Sequence, residues 1–194
     1  LNVGRAGMPS WTTDIGGFFV NVKDPAHKEL LLRWFEWATF CPVLRMHGDK
    51  GPAEIPQLDD RDWGGGFCHT GLANEIWSYG DDVYEVLKGY VDLRERMKPY
   101  ISEVMHEAAE NGSPVMRAMF YEFPEDPACW ACSDEYMFGS RYLVAPVLWA
   151  GVTSRTVYLP KGKWRDMNTG EVYEGGCNIT VPAPVEIIPV FERL

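Results

Sequence analysis

Leu31, Trp34, Phe35 and Ala38 recur at intervals of three and four residues, the spacing that gathers side chains on one face of a helix. Asp24-Pro25 ahead of them is a helix start, an N-cap acceptor followed by a proline whose missing N–H costs nothing at the first helical position. The stripe ends at Cys41-Pro42, and Pro42 to Met46 then forms a short apolar run that closes on His47-Gly48, the pattern of a buried strand opening into a loop. From Gly48 to Gly80 neither period is present and glycines recur, which predicts a long loop, and loops of that length are functional or disordered. Asp82 with Glu85 resembles a capping box for a second helix, whose stripe runs through Val83, Leu87, Tyr90, Met97, Val104 and Ala108 to Asn111-Gly112. Pro99 inside it is expected to kink or divide the helix. Pro114 to Phe120 reads as another buried strand, so the chain to this point has the rhythm of α/β units.

After Phe138-Gly139 the rhythm changes. Short β-rich runs at Tyr142–Leu148, Arg155–Leu159, Ile179–Val181 and Val185–Phe191 are separated by turn chemistry at Pro160-Lys161-Gly162 and Asn168-Thr169-Gly170. That spacing predicts a small antiparallel sandwich over 141–194, after an α/β portion over 1–140.

Composition narrows the functional classes. The chain has 194 residues, short for a complete eight-stranded α/β barrel, which takes about 250. Its net charge of −10 repels phosphate backbones and anionic headgroups, so neither nucleic acid nor a membrane surface is an expected partner. The longest apolar run, Tyr142 to Val152, is broken by Pro146 and falls short of the roughly 18 residues of a membrane span. Residue 1 is leucine, so the natural start is expected upstream or removed. Five scattered cysteines read as reduced thiols and lean toward a cytoplasmic setting. Cys129 and Cys132 form a CxxC, but no second pair or nearby histidine completes a zinc site, so no metal is expected.

Two places carry chemistry. Trp11-Thr12-Thr13-Asp14-Ile15-Gly16-Gly17-Phe18 sets an acid between aromatics ahead of two glycines. A sugar subsite is built this way, with a carboxylate accepting from hydroxyls and aromatic faces covering the apolar side of the ring; an Asp-capped glycine turn is the plainer reading. His47, at the other strand end, is either a ligand-binding or a structural histidine, with Arg45 as its expected buried companion on the same side of the strand.

These segments stand in an order that resembles glycoside hydrolase family 31, the α-glucosidase and α-xylosidase family. Trp11–Phe18 is similar to its W-x-x-D-I-G-G-F segment, Phe35–Gly48 to F-x-W-x-x-F-x-P-x-x-R-x-H-G, and Arg94–Tyr100 to R-x-R-x-x-P-Y. Pro114–Pro127 is similar to P-V-M-R-x-x-x-x-E-F-P-x-D-P, and Val144–Val147, Tyr158-Leu159-Pro160 and Trp164 to the start of its C-terminal sandwich. The resemblance covers essentially the whole chain. It implies the C-terminal part of a (β/α)8 barrel followed by a small β-sandwich, from an enzyme that hydrolyses terminal α-linked xylose or glucose. It also implies that Asp14, Phe18, His47 and Trp11 line the sugar subsite, Asp14 and His47 holding ring hydroxyls, while Arg45 gives structural support.

The same resemblance puts the two catalytic aspartates of this retaining family upstream of Trp11. Retaining hydrolysis needs two carboxyl groups about 5 Å apart. Asp49, Asp59, Asp60 and Asp62 stand in no matching motif, and the family's E-P-W segment is Glu75-Ile76-Trp77 here. The expected partners are therefore an α-linked oligosaccharide or glycoside and the rest of a parent glycosidase, whose strands would pair the open edges of the barrel piece. No organic cofactor is implied, and Phe123 to Cys129 is worded more like the α-xylosidases. A non-catalytic carbohydrate-binding or structural module is the rival reading.

Overall fold

The computed structural model of the chain describes residues 2–18, 25–47 and 73–194. After a single-turn helix α1 (Asn2–Arg5), the helical stripe becomes α2 (Pro25–Thr39), and the second becomes α3 (Asp81–Asn111), preceded by a 3₁₀ turn at Ile76–Tyr79. The Asp24 cap and residues 48–72 of the expected loop, with its four aspartates and Cys68, lie outside the described residues, while the loop's last part forms the 3₁₀ turn. α3 is continuous through Pro99 rather than divided there. The ring is solvent-exposed, so the carbonyl left without an N–H partner four residues earlier faces water. Leu31, Leu32 and Phe35 of α2 meet Val83 and Leu87 of α3 and close over Ile15 in one core.

The remaining elements are β1 (Met116–Ala118), α4 (Met119–Glu122), α5 (Pro127–Ala131), β2 (Tyr136–Phe138), β3 (Tyr142–Val144), β4 (Ser154–Leu159), β5 (Lys163–Asp166), β6 (Val172–Glu174), β7 (Cys177–Pro182) and β8 (Val190–Arg193). A six-stranded antiparallel sheet runs β1-β2-β3-β8-β5-β6, and β4 pairs with β7 as a separate ribbon. The strand expected over Pro114–Phe120 is thus three residues at the edge of this antiparallel sheet, then a helical turn, not part of a parallel α/β unit.

β2 and β3 are buried on both faces. Met137 and Leu143 pack with Val157, Leu159 and Val181 of the ribbon. Tyr136, Phe138, Tyr142 and Val144, one residue out of phase, pack with Met97, Val104 and Ala108 of α3. The sheet is therefore the middle of three layers, and the two-residue period of a strand distributes its side chains between two cores.

Charged side chains turned toward backbone carbonyls fasten the layers. Arg94 donates to the carbonyls of Thr39, Cys41 and Pro42 at 2.6, 2.7 and 2.8 Å, tying α3 to the end of α2. Arg117, 3% exposed, bonds Pro114 O and pairs with Glu107 and Glu122, as a buried guanidinium must. Arg33 of α2 reaches the carbonyls of Pro184, Ile187, Val152 and Ala183 at 2.8 to 3.1 Å, fastening the sandwich to the helical part.

Glu36 lies beside Arg33, 3.6 Å away, and is 1% exposed. Burial pushes its carboxyl up to about 8; the Arg33 charge opposes that and Glu186 adds to it. Between pH 4.5 and about 8 the unfolded chain ionises Glu36 while the folded chain keeps its proton, so stability falls as pH rises through that window. Glu36→Gln is expected to match the parent near pH 4.5 and to exceed it at pH 8 by on the order of 2 kcal/mol. Urea unfolding at both pH values checks this; a difference independent of pH refutes it.

Candidate functional site

Residues 8–18 and 42–47 hold no regular ladder, where a buried strand was expected at Pro42–Met46. Among the described residues these two segments have only each other. The contacts between them still define their relation. Thr12 Oγ1 bonds Val43 O at 3.3 Å, Ile15 N bonds Arg45 O at 3.4 Å, and the rings of Phe18 and His47 lie 5.3 Å apart edge to face. The partners advance together, so the segments run parallel, with the rings of Phe18 and His47 meeting beyond the backbone contacts. α2 is the crossover between them.

Which way each side chain points follows from parity. Thr13 accepts from Trp34 Nε1 of α2 at 2.9 Å, and Ile15 is wholly buried against α2. Leu44 and Met46 pack on the same core. Asp14, Arg45 and His47 are the alternate residues and fall on the face turned away from the helices. There Arg45 Nη2 reaches Asp14 Oδ1 at 2.5 Å. Gly16 and Gly17 turn the chain immediately after Ile15 with φ of 79° and 93°, and Gly17 N donates to Asp14 O at 2.8 Å. Side chains other than glycine are strained at both positions.

The structure thus brings Asp14, Arg45, Phe18 and His47 together across two parallel segments. Arg45 is not the buried companion of His47: it is half-exposed and pairs with Asp14. The neighbouring segment offers a carboxylate at contact distance, and Arg45 takes it. With side-chain exposures of 47% and 25%, that ion pair contributes little stability. Its effect is to hold the direction of the carboxylate, whose Oδ2 accepts no hydrogen bond among the described residues. Phe18 is 42% exposed and His47 is also open, so the end is accessible. Trp11 has the parity of Thr13 and Ile15, and its ring lies 5.6 Å from that of Trp37 on the helical side. Asp49, Asp59, Asp60 and Asp62 lie outside the described residues.

Sequence reasoning missed the residues that set this geometry from outside it. Arg33 has no local signal, because its carbonyl partners are 119 to 154 residues distant. Trp34 was legible only as a member of an apolar stripe, while its indole N–H holds Thr13.

Residues 1–104 match the glycosyl hydrolases family 31 TIM-barrel domain, and residues 112–194 the glycosyl hydrolase family 31 C-terminal domain. An alpha-xylosidase of Saccharolobus solfataricus is 35% identical over 100% of this chain and 24% of its own length. Alpha-glucosidase 2 of Bacillus thermoamyloliquefaciens is 33% identical over 98% of this chain and 21% of its own. The crystal structure of a family 31 alpha-xylosidase from a soil metagenome, complexed with xylose, superposes with a TM-score of 0.92 at 52% identity, covering 100% of this chain and 29% of that one. The chain spans about a quarter of the length of these relatives. It belongs to glycoside hydrolase family 31, as a portion of the TIM barrel joined to the C-terminal domain.

Proposed function

We propose that the chain is the C-terminal portion of a retaining α-glycosidase that removes terminal α-linked xylose or glucose, supplying sugar-binding residues but neither catalytic carboxylate. The observation that carries this reading is the common face of Asp14, Arg45 and His47 on two parallel segments. Asp14, held by Arg45, accepts hydrogen bonds from ring hydroxyls; His47 bonds a further hydroxyl; Phe18, against the imidazole, covers an apolar edge of the sugar. Trp11 enters as support on the helical side. Such contacts tighten as the ring flattens toward an oxocarbenium ion and contribute several kcal/mol. The nucleophile and the acid/base come from preceding barrel strands. A xyloside is favoured by the xylose held in the 52%-identical structure. The barrel portion in this reading ends between α3 and β1, since β1 to β3 already form one antiparallel sheet; a division at residue 140 passes between β2 and β3.

The chain alone is expected to show no hydrolysis of an aryl α-xyloside or aryl α-glucoside. In a polypeptide that also carries the preceding strands, Asp14→Ala and His47→Ala should each lower kcat/KM by roughly 10²-fold or more, the scale of losing transition-state hydrogen bonds. Turnover by the chain alone that disappears on changing Asp49, Asp59, Asp60 or Asp62 overturns the proposal. Saturable binding of xylose, lost in His47→Ala and never accompanied by turnover in the longer polypeptide, establishes the binding-module reading instead.

A further inference from the structure

Immediately after α5, Cys132, Asp134 and Glu135 bring a thiol sulfur and two carboxylates together, with one donor atom from each lying within 4.8 Å of the others. Each of the two acids has one oxygen already engaged. Asp134 Oδ2 takes Arg155 Nη2 at 2.7 Å, leaving Oδ1 toward Cys132 Sγ at 4.0 Å. Glu135 Oε1 takes Tyr158 N at 2.9 Å, with Arg155 Nη2 3.9 Å off, while Oε2 has no hydrogen-bond partner.

Glu135 is 3% exposed, so Oε2 is a buried acceptor left unmatched, which ordinarily costs more than the hydrogen bonds around it return. Cys132 and Asp134 are only half-buried, and both line an open cavity of about 470 Å³ between α1, α5 and β1, which gives an ion a way in.

We propose that Cys132 Sγ, Asp134 Oδ1 and Glu135 Oε2 bind a zinc-class divalent cation, with water from the cavity as fourth ligand. The sequence led to the opposite expectation because no further cysteine or histidine stands near the CxxC; the structure supplies carboxylates two and three residues beyond Cys132. Sulfur with two oxygens suits zinc or cobalt better than calcium or magnesium, which take oxygen ligands alone. Tetrahedral bond lengths of about 2.0 to 2.3 Å put donors roughly 3.6 Å apart, so three residues whose donor atoms already lie within 4.8 Å of one another need side-chain movement of about 1 Å to close on an ion. On binding, the sulfur–metal bond forms and the thiol proton passes to solvent. Arg155 and the Tyr158 N–H orient the carboxylates from behind, and the Arg155 charge limits affinity to the micromolar range.

The test uses the chain stripped with a chelator. Equilibrium dialysis against zinc is expected to load one ion per chain at micromolar concentration, and cobalt(II) to give a thiolate-to-metal absorption band. Cys132→Ser should abolish the band and weaken zinc binding at least tenfold, as should Asp134→Asn at a half-exposed position that tolerates the change. Cys177→Ser, at an exposed cysteine remote in sequence, should change neither. Failure to load zinc, or equal loading by Cys132→Ser and Asp134→Asn, overturns the proposal; so does loss of the band in Cys177→Ser.

Discussion

Gly139→Ala is expected to lower stability by about 3 kcal/mol or more, a loss on the scale of overpacking combined with backbone strain. Gly139 has φ of 59°, and a Cβ built there falls 2.1 Å from Tyr100 Oη and 2.7 Å from Val104 Cγ2. Tyr100 cannot simply withdraw. Its hydroxyl donates to Phe138 O at 2.9 Å and accepts from Arg141 N at 3.1 Å, and its ring packs edge to face with Phe138 and Tyr142. A methyl group therefore separates the bend between β2 and β3 from α3, opening the contact that joins sheet to helix. Urea unfolding of Gly139→Ala, Tyr100→Phe and the double variant checks the mechanism. Removing the hydroxyl relieves the closest clash, so the double variant should lose less than the sum of the two single losses. Strict additivity, or a cost below about 1 kcal/mol for Gly139→Ala, contradicts it.

Arg33→Ala should have the other large effect, about 3 kcal/mol or more, because it strips the shared donor from four inward carbonyls. Arg33→Lys should recover little. An ammonium is a compact point charge, whereas the planar guanidinium sends one nitrogen to Pro184 and Ile187 and the other to Val152 and Ala183. Local consequences distinguish this from a general weakening: amide exchange over 183–188 should accelerate more than over β2 and β3. Uniform acceleration across the sheet, or full rescue by lysine, argues against the role given to Arg33.

The helices were legible because each buries one stripe and exposes the rest, so period alone located α2 and α3 closely. Proline and glycine placed the turns between β4, β5 and β6 for an equally local reason: they limit or release φ wherever they stand. β2 was not legible. Tyr136, Met137 and Phe138 face two different cores, so the alternation that marks a half-exposed strand is absent. The edge strand β1 was misjudged because Pro114–Phe120 is apolar throughout, and whether such a run meets parallel or antiparallel neighbours is decided by residues far along the chain.

At the candidate site, residue types and order indicated Asp14, Phe18, Arg45 and His47 before any geometry was available. Their common face was set by contacts that spacing cannot encode: the bond from Trp34 to Thr13, the burial of Ile15, and the pairing of Arg45 with Asp14 across 31 residues. What the sequence alone determined is the local conformation of the helices and turns, together with the chemical groups on offer, because those depend on neighbours within a few positions. What only the tertiary structure decided is which groups meet. A guanidinium, a carboxylate or a buried oxygen finds its partner wherever desolvation makes an unmatched charge or acceptor costly, and that environment exists only once the layers have closed.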